Sequence, residues 1–117
     1  MRMWLANPKI MCRQHLLGEH AECHAFVGSI NKGIRLDGYI RNNLLEIKSL
    51  IERHRQLSDE MMHRGMKHLS TLPEPQIQNL SNDIINYKID ADRSLKDLLG
   101  RCNECNKRNQ NIYKLLK

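Results

Sequence analysis

The chain has 117 residues, with 19 Lys plus Arg against 13 Asp plus Glu and a net charge of +6 at pH 7. It is 40% hydrophobic but only 4% aromatic, so its core must come from Leu, Ile and Met, which excludes an aromatic-rich sandwich or a wide ligand barrel. An ordinary charged fraction excludes wholesale disorder, and the length suits one domain over residues 1–117.

Apolar spacing predicts the elements in chain order. One long helix is expected from Pro8 to about Ile30. Pro8 fits its first turn, where a missing N–H costs nothing, and Leu16, Cys23, Val27 and Ile30 follow at helical spacing. Asn31 to Asn43 reads as a loop, with Gly33, Asp37 and Gly38 among Lys32, Arg35 and Arg41. A second helix should run from Ser49 to Arg64 on Leu50, Leu57 and Met61, and stop at Gly65. Met66 to Pro75 reads as another loop, and Ile77 to Ile85 as a short amphipathic helix. Asp92 is the expected cap of a last helix through Leu95, Leu98 and Leu99, which Gly100 weakens before a tail to Lys117. No strand alternation appears. The expected fold is all-α: a compact single-domain bundle with a long N-terminal helix and extended loops.

No apolar run reaches the roughly 18 residues of a membrane span, and residues 1–10 lack a secretory h-region. A cytoplasmic monomer with reduced thiols is the expectation. The basic balance points first to nucleic acid as partner, phosphate being the polyanion such a surface meets most often.

On a helix turning roughly 100° per residue, His15, Glu19 and Glu22 fall within an arc of roughly 60°. Cys12 and Phe26 share that arc, and Leu16, Cys23 and Val27 border it. Two readings stay open here. One is a solvated edge with an i, i+4 His–Glu contact. The other is a partly desolvated acid cluster whose raised carboxyl pKa suits proton transfer. Cys102-Asn103-Glu104-Cys105 is a single C-x-x-C knuckle, half of a zinc site. Cys12, Cys23, His20 or His24 could complete it only if the C-terminus folds back on the first helix. Plain thiols are therefore expected, with no metal and no cofactor. His54, His63 and His68 fit no metal motif and read as surface residues, while Met61, Met62 and Met66 read as core filler.

The stretch Gln14-His15-Leu16-Leu17-Gly18-Glu19-His20-Ala21-Glu22 resembles the signature of the pyrimidine dimer DNA glycosylases of the endonuclease V type. Residues 53–65 (RHRQLSDEMMHRG) resemble that family's second helix, with its Arg, its Gln and its closing Arg-Gly. Residues 1–66 carry the likeness well and the remainder loosely. The resemblance implies a glycosylase with abasic-site lyase activity, in which the α-amine of the first residue attacks sugar C1′ and a first-helix glutamate assists. Carried over residue by residue, Met1 supplies the amine and Glu22 is the catalytic glutamate, supported by Arg2, His15 and Glu19. A large residue such as Arg2 should also leave the initiator Met in place.

General chemistry suits that nucleophile, because an attacking amine must be neutral. An unperturbed α-amine has a pKa near 7.7–8.0 against about 10.4 for lysine, so roughly 10–20% of it is free at pH 7. The implied partner is double-stranded DNA with a damaged or modified base. Arg2, Lys9, Arg13, Lys32, Arg35 and Arg41 are its candidate phosphate contacts. Reaching a base in a duplex requires extrusion of a nucleotide; Trp4 and Met3 are candidate wedges, with core packing the blander reading. The sequence departs from the dimer-specific enzymes at Ala21 and Ala25, where those carry arginines, and in having only Tyr113 near its end in place of an aromatic tail. Two readings of other classes remain: a non-catalytic basic nucleic-acid-binding module in which Glu22 only forms a salt bridge, and a zinc-stapled interaction domain built on Cys102 and Cys105.

Overall fold

Pro8 does begin a helix, but one of three residues. The computed structural model describes residues 1–67 and 70–115; His68, read as a surface residue from sequence, lies outside the described residues. Asn7 accepts the Lys9 N–H at 3.0 Å and caps a 3-10 turn, Pro8–Ile10. Met11 and Cys12 are then extended, and α1 starts afresh as Arg13–Asn31. The single helix expected from Pro8 is thus interrupted, because the Cys12 Sγ accepts the His15 N–H and makes residue 12 an N-cap. Gly33 turns the chain just past the C-terminus of α1 at φ +73°, a conformation that suits glycine.

The expected loop at 31–43 contains a short helix, α2, Asp37–Arg41, whose Tyr39 ring meets Phe26 edge to face at 5.0 Å. After a 3-10 turn at Ile47–Ser49 comes α3, Leu50–His63, and Gly65 follows it at φ +82° as predicted. The helix predicted over 77–85 shifts to α4, Asn82–Asn86. Ile77 to Leu80 is taken up by a turn, and Ser81 supplies the cap by accepting the Ile84 N–H. The last predicted helix is α5, Ala91–Arg101, capped by Asp90 and not Asp92, with Gly100 inside its final turn. The expected tail instead folds into α6, Asn103–Leu115. Its apolar signal is thin, since Cys105 is its one buried residue among those described.

The core forms where α1 packs on α3. Leu16, Cys23, Phe26, Val27 and Ile30 meet Leu50, Leu57 and Met61 there, as their spacing implied. Each such side chain contributes about 1.5–3 kcal/mol of burial free energy. Met62 is 54% exposed and so is not core filler. His54 is buried, against the surface reading, because its ring packs on His20 at 4.6 Å and meets His24 edge to face at 4.9 Å, both on the facing helix. Helix α6 packs on α5 and on the 3-10 turn at Pro8–Ile10, where Arg108 donates to the Lys9 carbonyl at 2.9 Å. The C-terminal segment does therefore fold back on the start of α1. Among the described residues there are helices and turns but no strand, so the all-α bundle with extended loops stands. No described helix is long and apolar enough to cross a membrane.

Candidate active site

Residues 1–6 belong to no helix, yet they are held from four sides. The Arg2 N–H donates to Glu22 Oε2 at 3.1 Å, and the Met3 N–H donates to the Leu44 carbonyl at 2.7 Å. The Trp4 carbonyl accepts from Ser94 Oγ, and the Ala6 carbonyl accepts from Arg53 at 2.7 Å. Met3 and Trp4 are buried, which anchors the arm by apolar contact and makes them core residues, not projecting wedges. The arm therefore carries the Met1 amine to one place. Standard backbone lengths put that amine within ~4 Å of the Arg2 nitrogen, hence within ~7 Å of the Glu22 carboxylate.

Both groups line an open cavity of about 530 Å³, together with Arg2, Trp4, His15, Asn42, Leu44, Arg93, Asp97 and Arg101. Arg93, Asp97 and Arg101 were not singled out from sequence. They stand four residues apart on α5, the i, i+4, i+8 spacing of one helix face, and that spacing was the available signal. The Arg2 guanidinium is engaged with protein. It lies over the Trp4 ring at 3.6 Å and reaches Asp97 at 3.5 Å and Ser94 Oγ at 3.4 Å. Burial lowers its pKa, with Asp97 opposing that effect. The other expected phosphate contacts, Lys9, Arg13, Lys32, Arg35 and Arg41, are exposed and stand outside the described lining of this cavity. Arg35 pairs with Asp37 at 2.9 Å.

The two motif glutamates have different fates. Glu22 is half-buried at the cavity. Glu19 is fully buried, and both of its oxygens accept from Arg53, at 2.6 and 2.9 Å. Arg53 in turn bonds Ala6 of the arm, so Glu19 acts on the arm through Arg53. The motif's closing Arg64 pairs with Glu60 and donates to the carbonyls of Pro8 and Met11. The second-helix residues of the motif thus brace the segment that leads into α1. The 60° arc is neither a solvated edge nor one acid cluster. It holds a buried ion pair at Glu19, a cavity carboxylate at Glu22, and an imidazole turned to sulfur at His15.

His15 Nδ1 lies 3.2 Å from Cys12 Sγ and 3.7 Å from Cys105 Sγ, and its ring meets Trp4 edge to face at 5.6 Å. Cys12 Sγ is 3.8 Å from Cys102 Sγ. Burial pushes the Cys105 thiol up to about 12. At Cys102 burial acts the same way, but hydrogen bonds from the Cys105 and Glu104 backbone and the neighbouring thiols outweigh it, and the pKa falls. Of the partners considered for the knuckle, Cys12 arrives, while His20 and His24 group with His54 and Cys23 lies in the core. The sequence pointed away from His15 here, since that residue was placed with the glutamates.

An all-α chain whose first residue and a half-buried glutamate line one cavity is the class of protein that the fold and site define. The family model described as pyrimidine dimer DNA glycosylase matches residues 1–74, and the chain belongs to that family. Membership makes DNA its substrate and base removal its chemistry. Residues 75–117, which include Arg93, Asp97 and Arg101, lie outside the matched segment. No match was found among curated proteins or among solved structures.

Proposed function

We propose that this chain removes a damaged or modified pyrimidine from double-stranded DNA and then cleaves the abasic strand, through an imine between the Met1 amine and sugar C1′. The observation that carries the reading is the 3.1 Å bond from the Arg2 N–H to Glu22 Oε2. It sets a carboxylate one residue from the amine, in a cavity with room for a nucleotide's sugar.

The neutral amine attacks C1′, the N–C1′ bond forms and the bond to the base breaks, its electron pair leaving with the base. The ring C1′–O4′ bond then opens, O4′ takes a proton and the imine results. Glu22 stabilises the cationic centre and removes the C2′ proton, and the electron pair expels the 3′ phosphate. Water hydrolyses the imine and frees the amine. Glu19 serves by position, holding Arg53 against the arm. Arg93 and Arg101 add positive charge beside the cavity for the flanking phosphates, a role that Arg2, stacked on Trp4, fills less directly.

Borohydride trapping on an abasic duplex tests this, since reduction converts the imine to a stable amine. We expect a covalent adduct with the chain that begins at Met1. One residue added ahead of Met1 should abolish it, and Glu22→Gln should reduce strand cleavage by two to four orders of magnitude, a typical span for a lost acid–base group. A folded protein that binds the duplex but gives no adduct supports the non-catalytic module instead.

A further inference from the structure

Cys12, His15, Cys102 and Cys105 present one sulfur or nitrogen each, all within 4.8 Å of one another. They come from opposite ends of the chain, and the chemistry outlined above uses none of the three thiols. We propose that these four residues bind a zinc ion.

Three of the six ligand separations lie within ~0.4 Å of those in a zinc tetrahedron. Bonds of about 2.3 Å to sulfur and 2.0–2.1 Å to nitrogen require ~3.8 Å between two sulfurs and ~3.6 Å between sulfur and nitrogen. Cys12 and Cys102 are 3.8 Å apart at Sγ, and His15 Nδ1 stands 3.7 Å from Cys105 Sγ and 3.2 Å from Cys12 Sγ. The spacing is C-x-x-H followed by C-x-x-C, two short ligand pairs such as structural zinc sites use.

The backbone is arranged alike around each pair. Cys12 caps α1, and its sulfur accepts the N–H of His15, three residues on. Cys102 stands just ahead of α6, and its sulfur accepts the N–H of Cys105, again three residues on. Cys105 Sγ also accepts the Cys12 N–H at 3.2 Å. Two helix N-termini thus meet at one point and offer backbone N–H donors to sulfur. Three thiolates and a neutral imidazole select zinc over oxygen-seeking ions such as magnesium and calcium. Binding releases the thiol protons and oxidises nothing.

Ligation through Nδ1 leaves the His15 proton on Nε2, and His15 also lines the cavity with Met1 and Glu22. The ion would join the first turn of α1 to the α5–α6 corner, so that the C-terminal segment, with Asp97 and Arg101, is held against the helix bearing Glu22. His15 is then a ligand that positions the cavity wall, not a proton carrier.

The test is metal content and ligand spectroscopy on the full chain, independent of the trapping assay. Protein expressed with zinc and purified under reducing conditions without chelator should hold one zinc per chain by mass spectrometry. Cobalt added to the metal-free protein should give the intense visible bands of a tetrahedral ion and the charge-transfer absorption of thiolate ligands. Cys105→Ser should lose metal or bind it far more weakly. Cys23→Ala, which changes the cysteine outside the cluster, should keep the metal, and His15→Cys should keep it with a cobalt spectrum shifted towards four thiolates. Should Cys105→Ser fail to fold, the cobalt titration of the unaltered chain still decides. Well under one zinc per chain with free thiols overturns the proposal, as does an octahedral cobalt spectrum or a Cys12–Cys102 disulfide in the protein as isolated.

Discussion

Single residues here owe their roles to what they are paired with. Glu19 and Glu22 lie one turn apart on α1, yet one is a buried ion-pair partner and the other a cavity carboxylate. Removing one member of a buried pair strands the other, at a cost of about 3–5 kcal/mol. Glu19→Gln or Arg53→Met should therefore destabilise the protein by that order in urea unfolding, while the joint change Glu19→Leu with Arg53→Met should recover much of the loss. Cys23 allows a pH prediction. Burial, with Glu19 adding to it, pushes its thiol up to about 12, whereas an unfolded cysteine titrates near 8.5. The folded state thus holds the proton more tightly, so Cys23 stabilises fully below pH ~8.5 and loses that contribution as pH rises towards 12. Unfolding curves between about pH 8.5 and 10.5 should show a steeper decline for the unaltered chain than for Cys23→Val. The difference should approach 1.4 kcal/mol per pH unit, the value for about one proton; parallel declines would count against it.

At the scale of elements, caps and left-handed residues set boundaries that periodicity blurs. The faces of α1 and α3 were legible because Leu16, Cys23 and Val27, and Leu50, Leu57 and Met61, repeat at helical spacing. The break at Met11 and Cys12 was not, since it depends on a sulfur accepting a backbone N–H. Helix α6 was missed because Asn, Lys and Arg dominate it and little of it is buried. Asn43 shows how much one such residue can join. At φ +63° it turns the chain after α2, its Oδ1 accepts from Tyr87 Oη and the Asp90 N–H at 2.7 Å each, and its amide donates to the Asp90 carbonyl at 3.3 Å. Asn43→Ala forfeits those bonds and leaves at φ +63° a residue that tolerates the left-handed region less well than Asn, which should cost about 2–4 kcal/mol in chemical denaturation. Asn43→Gly relieves the strain but not the lost bonds, so it should regain only part of that.

At the scale of the whole molecule, the matched segment 1–74 is not a self-contained core. Ile89, Leu98 and Cys105 are buried with it, and Ser94 bonds the Trp4 carbonyl of the N-terminal arm. A fragment ending at residue 74 should lose the cooperative thermal transition of the full chain by circular dichroism; a fragment that melts as sharply at the same temperature would show the C-terminal helices to be dispensable. The sequence by itself determined what depends on near neighbours: an all-α chain, the apolar faces of α1 and α3, the stop at Gly65, and the glutamate motif with its family likeness. Tertiary structure decided what depends on contacts between distant residues. It placed Arg2 against Glu22 across 20 residues, Glu19 against Arg53 across 34, and Cys12 beside Cys102 across 90. Helical periodicity reports which face of an element is apolar, but not which other element will cover it. The choice among those partners is made by packing the whole chain at once.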